Sequence, residues 1–312
     1  NRIRKHEGTQ PDKEADRVRN IASLNAQTGP VLSVYRANDT IKSWLDKVKQ
    51  ETPTLDVTGQ HDVVHTLWRM DQPDLVDALS NAFNAMDAIY IADGHHRYET
   101  ALAFAEANQN KVEDCSHVMM FLTNMDSDSM SIFPIHRVAK SPKPFDRESF
   151  LQKAGEYFDI SPWSGTLNGT EVKSRLKDLG KEQITFCAYL GKEHAFILKV
   201  KDPKNVLPLL DQNEPQDMQV LDGAQLHAIL LRHILKIDTR EKAGQQFVSY
   251  KVNSEEAMGL VDSGESDVAF FMNPTLIDQV RRLAEKGLRL PQKATFFYPK
   301  LLSGLVINKF GP

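Results

Sequence analysis

Apolar residues recur along the chain with two spacings, and the changes from one to the other mark out its elements. The run Val31-Leu32-Ser33-Val34-Tyr35 after Gly29-Pro30 predicts a buried strand, whereas Ile41, Trp44, Leu45 and Val48 repeat at helical period and predict a helix over 41–50. The charged stretch 1–29 is helical in flavour, with Ile21 and Leu24 closing its apolar pattern. There follow a strand over 62–70, an amphipathic helix built on Leu75, Val76, Leu79, Ala82 and Phe83, an apolar strand ending at Asp93-Gly94, and an alanine-rich helix over 96–107. Strands are then predicted over 118–125 and 131–139. The proline- and lysine-broken stretch Ser141–Asp146 places a domain boundary at 143/144.

Beyond that boundary the pattern predicts helices over 150–157 and 172–179, and a hairpin of strands 184–190 and 194–200 turned at Gly191-Lys192-Glu193. Stretch 221–237 is apolar almost all round and reads as a helix packed on two sides. A strand over 246–252, a helix over 254–263 with Ser254 as N-cap, a strand over 268–273 and a helix over 276–287 stopped by Gly287 complete the series. Strands and helices alternate, so the fold class is α/β (α+β) with a mixed sheet. Three parts are expected: 1–143 around the 93–97 loop, a smaller α+β insert over 144–218, and a C-terminal α/β part over 219–312 packing on the first.

Composition narrows the function classes. Lys and Arg number 38 against 42 Asp and Glu, a net charge of −4, with both signs scattered along the chain. That disfavours a nucleic-acid partner and a polybasic membrane surface. No apolar stretch nears the ~20 residues that span a bilayer, and the first ten residues lack a leader-like apolar run, so a cytoplasmic protein is expected. The two cysteines, Cys115 and Cys187, stand apart among apolar neighbours and predict buried thiols, not a disulfide or zinc site.

The stretch richest in chemistry is strand, Asp93-Gly94-His95-His96-Arg97, helix. The first turn of a helix presents unpaired N–H groups and the positive end of a dipole, so a glycine that lets backbone approach makes an anion site there. Arg97 adds a planar fork suited to phosphate, and His95 and His96 add donors that titrate near neutrality. Asp93 can cap the helix, orient a histidine or hold a divalent cation shared with phosphates. His136 and Arg137 at the end of strand 131–139, and Lys293 and Lys300 flanking the aromatic run 295–298, are further candidates for the same anion. Solvated strand ends and edge-guarding lysines would give the same pattern.

The segments ADGHHRYETA (92–101), IRKHEGT (3–9), FPIHRV (133–138) and LPQKATFFYPKLLSGL (290–305) together resemble the domain of unknown function 1015 family. Members of that family usually carry a longer segment before the His-Glu turn, so an N-terminal part is expected to be missing here or separately encoded. The strand-DGHHR-helix unit is also similar to the phosphate loop of the ParB/sulfiredoxin superfamily, which includes nucleotide-binding partition proteins, ATP-using sulfiredoxins and kinases of free serine. This second resemblance implies that Gly94, His95, His96 and Arg97 contact nucleotide phosphates. A sulfiredoxin would need a cysteine in the loop, and this loop has none.

What the resemblance implies is a kinase of a small hydroxyl-bearing metabolite, using Mg²⁺ with ATP or ADP, and free serine is the first acceptor to consider. The alternative is a non-catalytic nucleotide-binding or regulatory module of ParB type. A kinase needs a carboxylate to accept the hydroxyl proton. Glu7, in the His6-Glu7-Gly8-Thr9 turn, is the first choice and Glu99 the second, although Glu99 could simply bond His95 one turn away. His61 and His65 lack a third ligand at zinc spacing, His6-Glu7 is not an HExxH because position 10 is Gln, and no GxxxxGK[ST] or GxGxxG occurs.

Overall fold

The computed structural model describes residues 2–9, 11–59, 62–109, 111–192, 194–291 and 293–311. His61 of the rejected zinc pair and Glu193 of the expected turn lie outside the described residues. The chain divides into two compact units, 1–130 with 300–312, and 131–299. The boundaries expected at 143/144 and 218/219 both lie inside 131–299.

The first unit comprises β1 (Ile3–Arg4), α1 (Pro11–Leu24), β2 (Ala26–Gln27), β3 (Val31–Tyr35), α2 (Asp39–Val48), β4 (Leu55–Thr58), β5 (Val64–Leu67), α3 (Pro73–Asn84), β6 (Ile89–Asp93), α4 (His95–Asn108) and β7 (Met120–Asn124). Its mixed sheet runs β1-β6-β3-β7, with β6 antiparallel to β3 and the other two pairs parallel. All five residues of β3 and the middle of β6 are buried, so these runs are strands covered on both faces. The expected strand over 62–70 is half of a hairpin, β4 pairing with β5 from Leu55↔Leu67 to Thr58↔Val64. Every β4 residue is exposed, so ladder bonds hold this strand without an apolar run to betray it. The chain end returns to this unit, Asn308–Lys309 pairing with β2 and Phe310 stacking on Phe104 of α4.

The second unit comprises β8 (Ser131–Phe133), β9 (His136–Ala139), α5 (Arg147–Ala154), β10 (Phe158–Pro162), α6 (Gly169–Leu179), β11 (Thr185–Tyr189), β12 (Ala195–Val200), α7 (Pro203–Val206), α8 (Gln216–Gln219), α9 (Asp222–Gln225), a π-helical stretch Leu226–Ile234, α10 (Lys242–Gln245), β13 (Val248–Lys251), α11 (Ser254–Asp262), β14 (Val268–Phe271), α12 (Ile277–Glu285) and β15 (Phe296–Tyr298). Six strands form an antiparallel sheet in the order β10-β12-β11-β14-β9-β13. Alternate residues serve opposite faces. Phe186, Ala188 and Phe270 join the core with Phe150 of α5 and Leu226, Ile229 and Leu230 of the π-helical stretch, while Cys187, Tyr189 and Phe271 join Val172 and Leu176 of α6 and Ala257 of α11. The apolar helix expected over 221–237 is therefore partly π-helical, Leu226–Ile234, with six apolar side chains of that stretch buried.

Two local expectations change. The strand expected over 131–139 is two strands in different sheets, β8 with β15 and β9 with β13 and β14, because Pro134 between them has no N–H for a ladder. The N-cap of α11 is Asn253, not Ser254: the Asn253 side-chain oxygen accepts from Glu256 N at 2.9 Å, and Ser254 Oγ lies 3.2 Å from His136 Nε2. Cys115 and Cys187 are buried and free, and burial pushes the Cys187 thiol up to about 12. Among the described residues no helix is long and apolar enough to cross a membrane. Asn253→Ala should lower the stability of the second unit by about 1 kcal/mol through the lost cap; urea unfolding followed by far-UV circular dichroism measures this, and an unchanged midpoint would return the cap to Ser254.

Candidate functional site

Strand β6 ends at Asp93, and α4 starts at His95 with Gly94 between them at φ +95°. A Cβ on Gly94 would meet Val31 Cα at an ordinary 3.5 Å and the flexible Arg97 side chain, at Nε, at 3.3 Å, so it is the backbone angle that selects glycine. The first intrahelical bond runs from Tyr98 N to Gly94 O at 3.0 Å, so the amides of residues 95–97 precede the helical ladder and mark the positive end of α4.

Two cations face the Asp93 carboxylate. Lys300 Nζ is 3.2 Å from Asp93 Oδ2 and Arg97 Nη2 is 3.9 Å from it, while Arg97 Nη1 donates to Pro30 O at 2.8 Å. These side chains are 40, 31 and 38% exposed for Lys300, Arg97 and Asp93, so the ion pairs are weak enough for a polyanion to replace them. Asp93 does not cap the helix; Gly94 occupies the cap position without a side-chain bond.

On the other side of the α4 start lies the segment after β1. Main-chain pairing of β1 with β6 brings His6 and Glu7 to the first turn of α4. His6 is fully buried, and its backbone N–H donates to His95 Nε2 at 3.3 Å, with the two rings edge-to-face at 4.5 Å. Burial lowers the His6 pKa to about 4, against the opposing effects of a bond to the Ile91 backbone and the Asp93 charge, so its ring is neutral at pH 7. Because His95 Nε2 accepts the His6 amide, the neutral ring carries its proton on Nδ1, which is 3.9 Å from Glu7 Oε2. His6, Glu7 and His95 each offer a ligand atom, all within 4.8 Å of one another, and are a metal-type donor set. That tautomer, however, presents an N–H instead of a lone pair to the carboxylate. Glu99 meets Lys5 Nζ at 2.5 Å and fastens the 3–9 segment to α4.

One unit thus contains Glu7, Asp93, Gly94, His95, His96, Arg97, Glu99 and Lys300. His136, Arg137 and Lys293 belong to the other. There Arg137 is buried and donates to His227 Nε2 at 2.9 Å, to Ile135 O, and to Lys293 O at 3.3 Å, with Tyr250 5.0 Å from its guanidinium carbon. Burial lowers its pKa to about 10, and lowers His136 to about 3 with help from the Arg137 charge. Lys293 offers Arg137 its carbonyl, so what the sequence marks as a side-chain ligand contributes main chain. Sequence reasoning assigned no site role to His6 or Lys5, although both stand in the IRKHEGT segment that marked Glu7; the polar, compact stretch Lys5-His6-Glu7 beside β1 was the available signal.

Gly94→Ala should cost about 1–2 kcal/mol from the left-handed backbone alone, measured as a lower thermal midpoint. An unchanged midpoint would show that the joint relaxes to another conformation.

Solved structures that align with the chain include a free serine kinase in complex with AMP, at 12% identity over 97% of this chain and 88% of that one, TM-score 0.46. A conserved hypothetical protein from Pyrococcus furiosus aligns at 12% identity over 97% and 91%, TM-score 0.45. SbnI with a C-terminal truncation, from Staphylococcus aureus, aligns at 12% identity over 98% and 84%, TM-score 0.45. No curated protein matches the sequence. The family described as protein of unknown function (DUF1015) matches residues 1–224, a span that takes in IRKHEGT, the whole Asp93–Arg97 joint and FPIHRV. With more than two thirds of its length matched in this way, the chain belongs to the DUF1015 family.

Proposed function

We propose that the chain is a nucleotide-dependent phosphotransferase, a kinase acting on a small hydroxyl-bearing metabolite with ATP or ADP as donor. The observation that carries this reading is the Glu7 carboxylate, 3.9 Å from the ring of His95, the first residue of the helix whose positive end attracts phosphate. A carboxylate beside an anion site weakens anion binding, so a module that only binds nucleotide gains nothing from it. A kinase needs one there to take a proton.

In this reading Gly94, His95, His96 and Arg97 receive the phosphates, with Lys300 as a second cation. The acceptor oxygen attacks the terminal phosphorus, the bond from phosphorus to the bridging oxygen breaks, and the hydroxyl proton passes to Glu7. His95 Nδ1 stands 3.9 Å from that carboxylate, and the Lys5–Glu99 pair holds the segment that carries it. Mg²⁺, when bound, neutralises phosphate charge, and Asp93 is the residue to hold it: its carboxylate is partly open, and a polyphosphate draws Lys300 and Arg97 away from it. Free serine is the first acceptor to test, on the resemblance of the loop alone.

Arg97→Ala should weaken ATP or ADP binding by about 1.5–3 kcal/mol in calorimetric titration with Mg²⁺ present; equal binding removes Arg97 from the phosphate site. Glu7→Gln should bind nucleotide as the wild type does and lose transfer to the hydroxyl, followed by ³¹P NMR. Transfer retained in the variant discards Glu7 as the base. Nucleotide binding by the wild type without transfer to serine or any other hydroxyl tried would favour the regulatory module.

A further inference from the structure

A cavity of about 110 Å³ opens beside the same joint, between α1 and α4. Its floor is apolar, with Ile21, Val31, Ala101 and Val118, and Arg17 and Asn20 of α1 stand at its edge. We propose that this cavity takes the adenine ring of the nucleotide whose phosphates lie at Gly94–Arg97. The inference rests on the nucleotide reading of that loop and assigns the specificity pocket to it.

Arg97 joins the two places. Its Nε is 3.3 Å from where a Gly94 Cβ would be, and its Nη1 is 2.9 Å from where a Gly29 Cβ would be, so one guanidinium reaches from the phosphate loop to the cavity wall. A side chain at Gly29 would strike Arg97 Nη1 and stand 3.2 Å from Ser303 Oγ, so glycine there keeps this passage open. Along α4 the separation from Gly94 to Ala101 is about 10 Å at 1.5 Å per residue. That is the order of the reach of a nucleotide from its phosphates to its base.

Size and polarity then select the occupant. The volume lies well below the ~300 Å³ where pockets for drug-sized ligands begin, so it suits one planar ring system and not a whole nucleotide. Two polar wall residues are committed to the fold: Gln27 bonds His117 O and Met119 N, and Thr100 Oγ1 donates to His96 O. Among the described residues Arg17 and Asn20 make no such side-chain bond or ion pair, which leaves them for a ligand. An asparagine amide offers the adjacent donor and acceptor that match the N6 and N7 edge of adenine, and a guanidinium plane stacks on an aromatic ring.

The test compares ATP with inorganic tripolyphosphate, which carries the phosphates without the base, by calorimetry on the full chain with Mg²⁺. The wild type should bind ATP at least tenfold more tightly. Ala101→Leu, which fills the cavity, should bring ATP down to the affinity of tripolyphosphate and leave tripolyphosphate unchanged. Because a buried substitution can unfold the helix pair, the exposed double variant Asn20→Ala, Arg17→Ala is measured beside it and should narrow the same gap at least threefold. Equal affinities in the wild type, or an ATP preference that survives in a folded Ala101→Leu protein and in the double variant, overturns the adenine pocket while leaving the phosphate loop standing. Binding of neither compound by the wild type overturns the nucleotide reading itself and this inference with it.

Discussion

The chain turns from β6 into α4 through a single residue, Gly94, held at φ +95° within 3.5 Å of the neighbouring strand's backbone, as measured from the position of a Cβ it lacks. That joint decides where everything else in the first unit can act. It aims the start of a fourteen-residue helix outward from the end of a buried strand, and so places the positive end of the helix where Asp93, Arg97 and Lys300 converge. A side chain at this position would strain the backbone and press on Arg97, disturbing both the helix start and the guanidinium beside it.

Around that joint the charges are arranged in two sectors. On one side Arg97 and Lys300 are held by Asp93 in partly exposed pairs, which bind weakly. On the other, two buried histidines in contact exclude water from the base of the Glu7 segment. The His6 amide selects the acceptor nitrogen of His95, and this main-chain bond sets which nitrogen faces Glu7.

The second unit obeys a different constraint. Its central strands β9, β11 and β14 are buried along their whole length because helices cover both faces of the antiparallel sheet. A polar residue in such a strand must be satisfied inside the fold. Arg137 is, through an imidazole and two carbonyls, and its charge sits among neutral partners. Within the motif FPIHRV, Arg137 thereby gains a structural role.

Hydrophobic period and turn residues were enough to reveal most elements of both units, because buried strands such as 31–35 and 185–189 and helices such as 73–84 carry their apolar pattern locally. The DGHHR joint was legible for the same reason: a glycine between strand and helix is a local necessity. Strand β4 was not, since it is exposed and held by ladder bonds alone, and the break inside 131–139 turned on one missing N–H at Pro134. Nor could spacing show that Glu99 would be taken by Lys5, or that a parallel strand of two residues would carry His6 and Glu7 to the start of α4. Local chemistry is written in neighbouring residues. Which groups separated by some ninety positions meet, and which nitrogen of a histidine faces a carboxylate, depends on strand pairing and burial, and only the tertiary structure decides those.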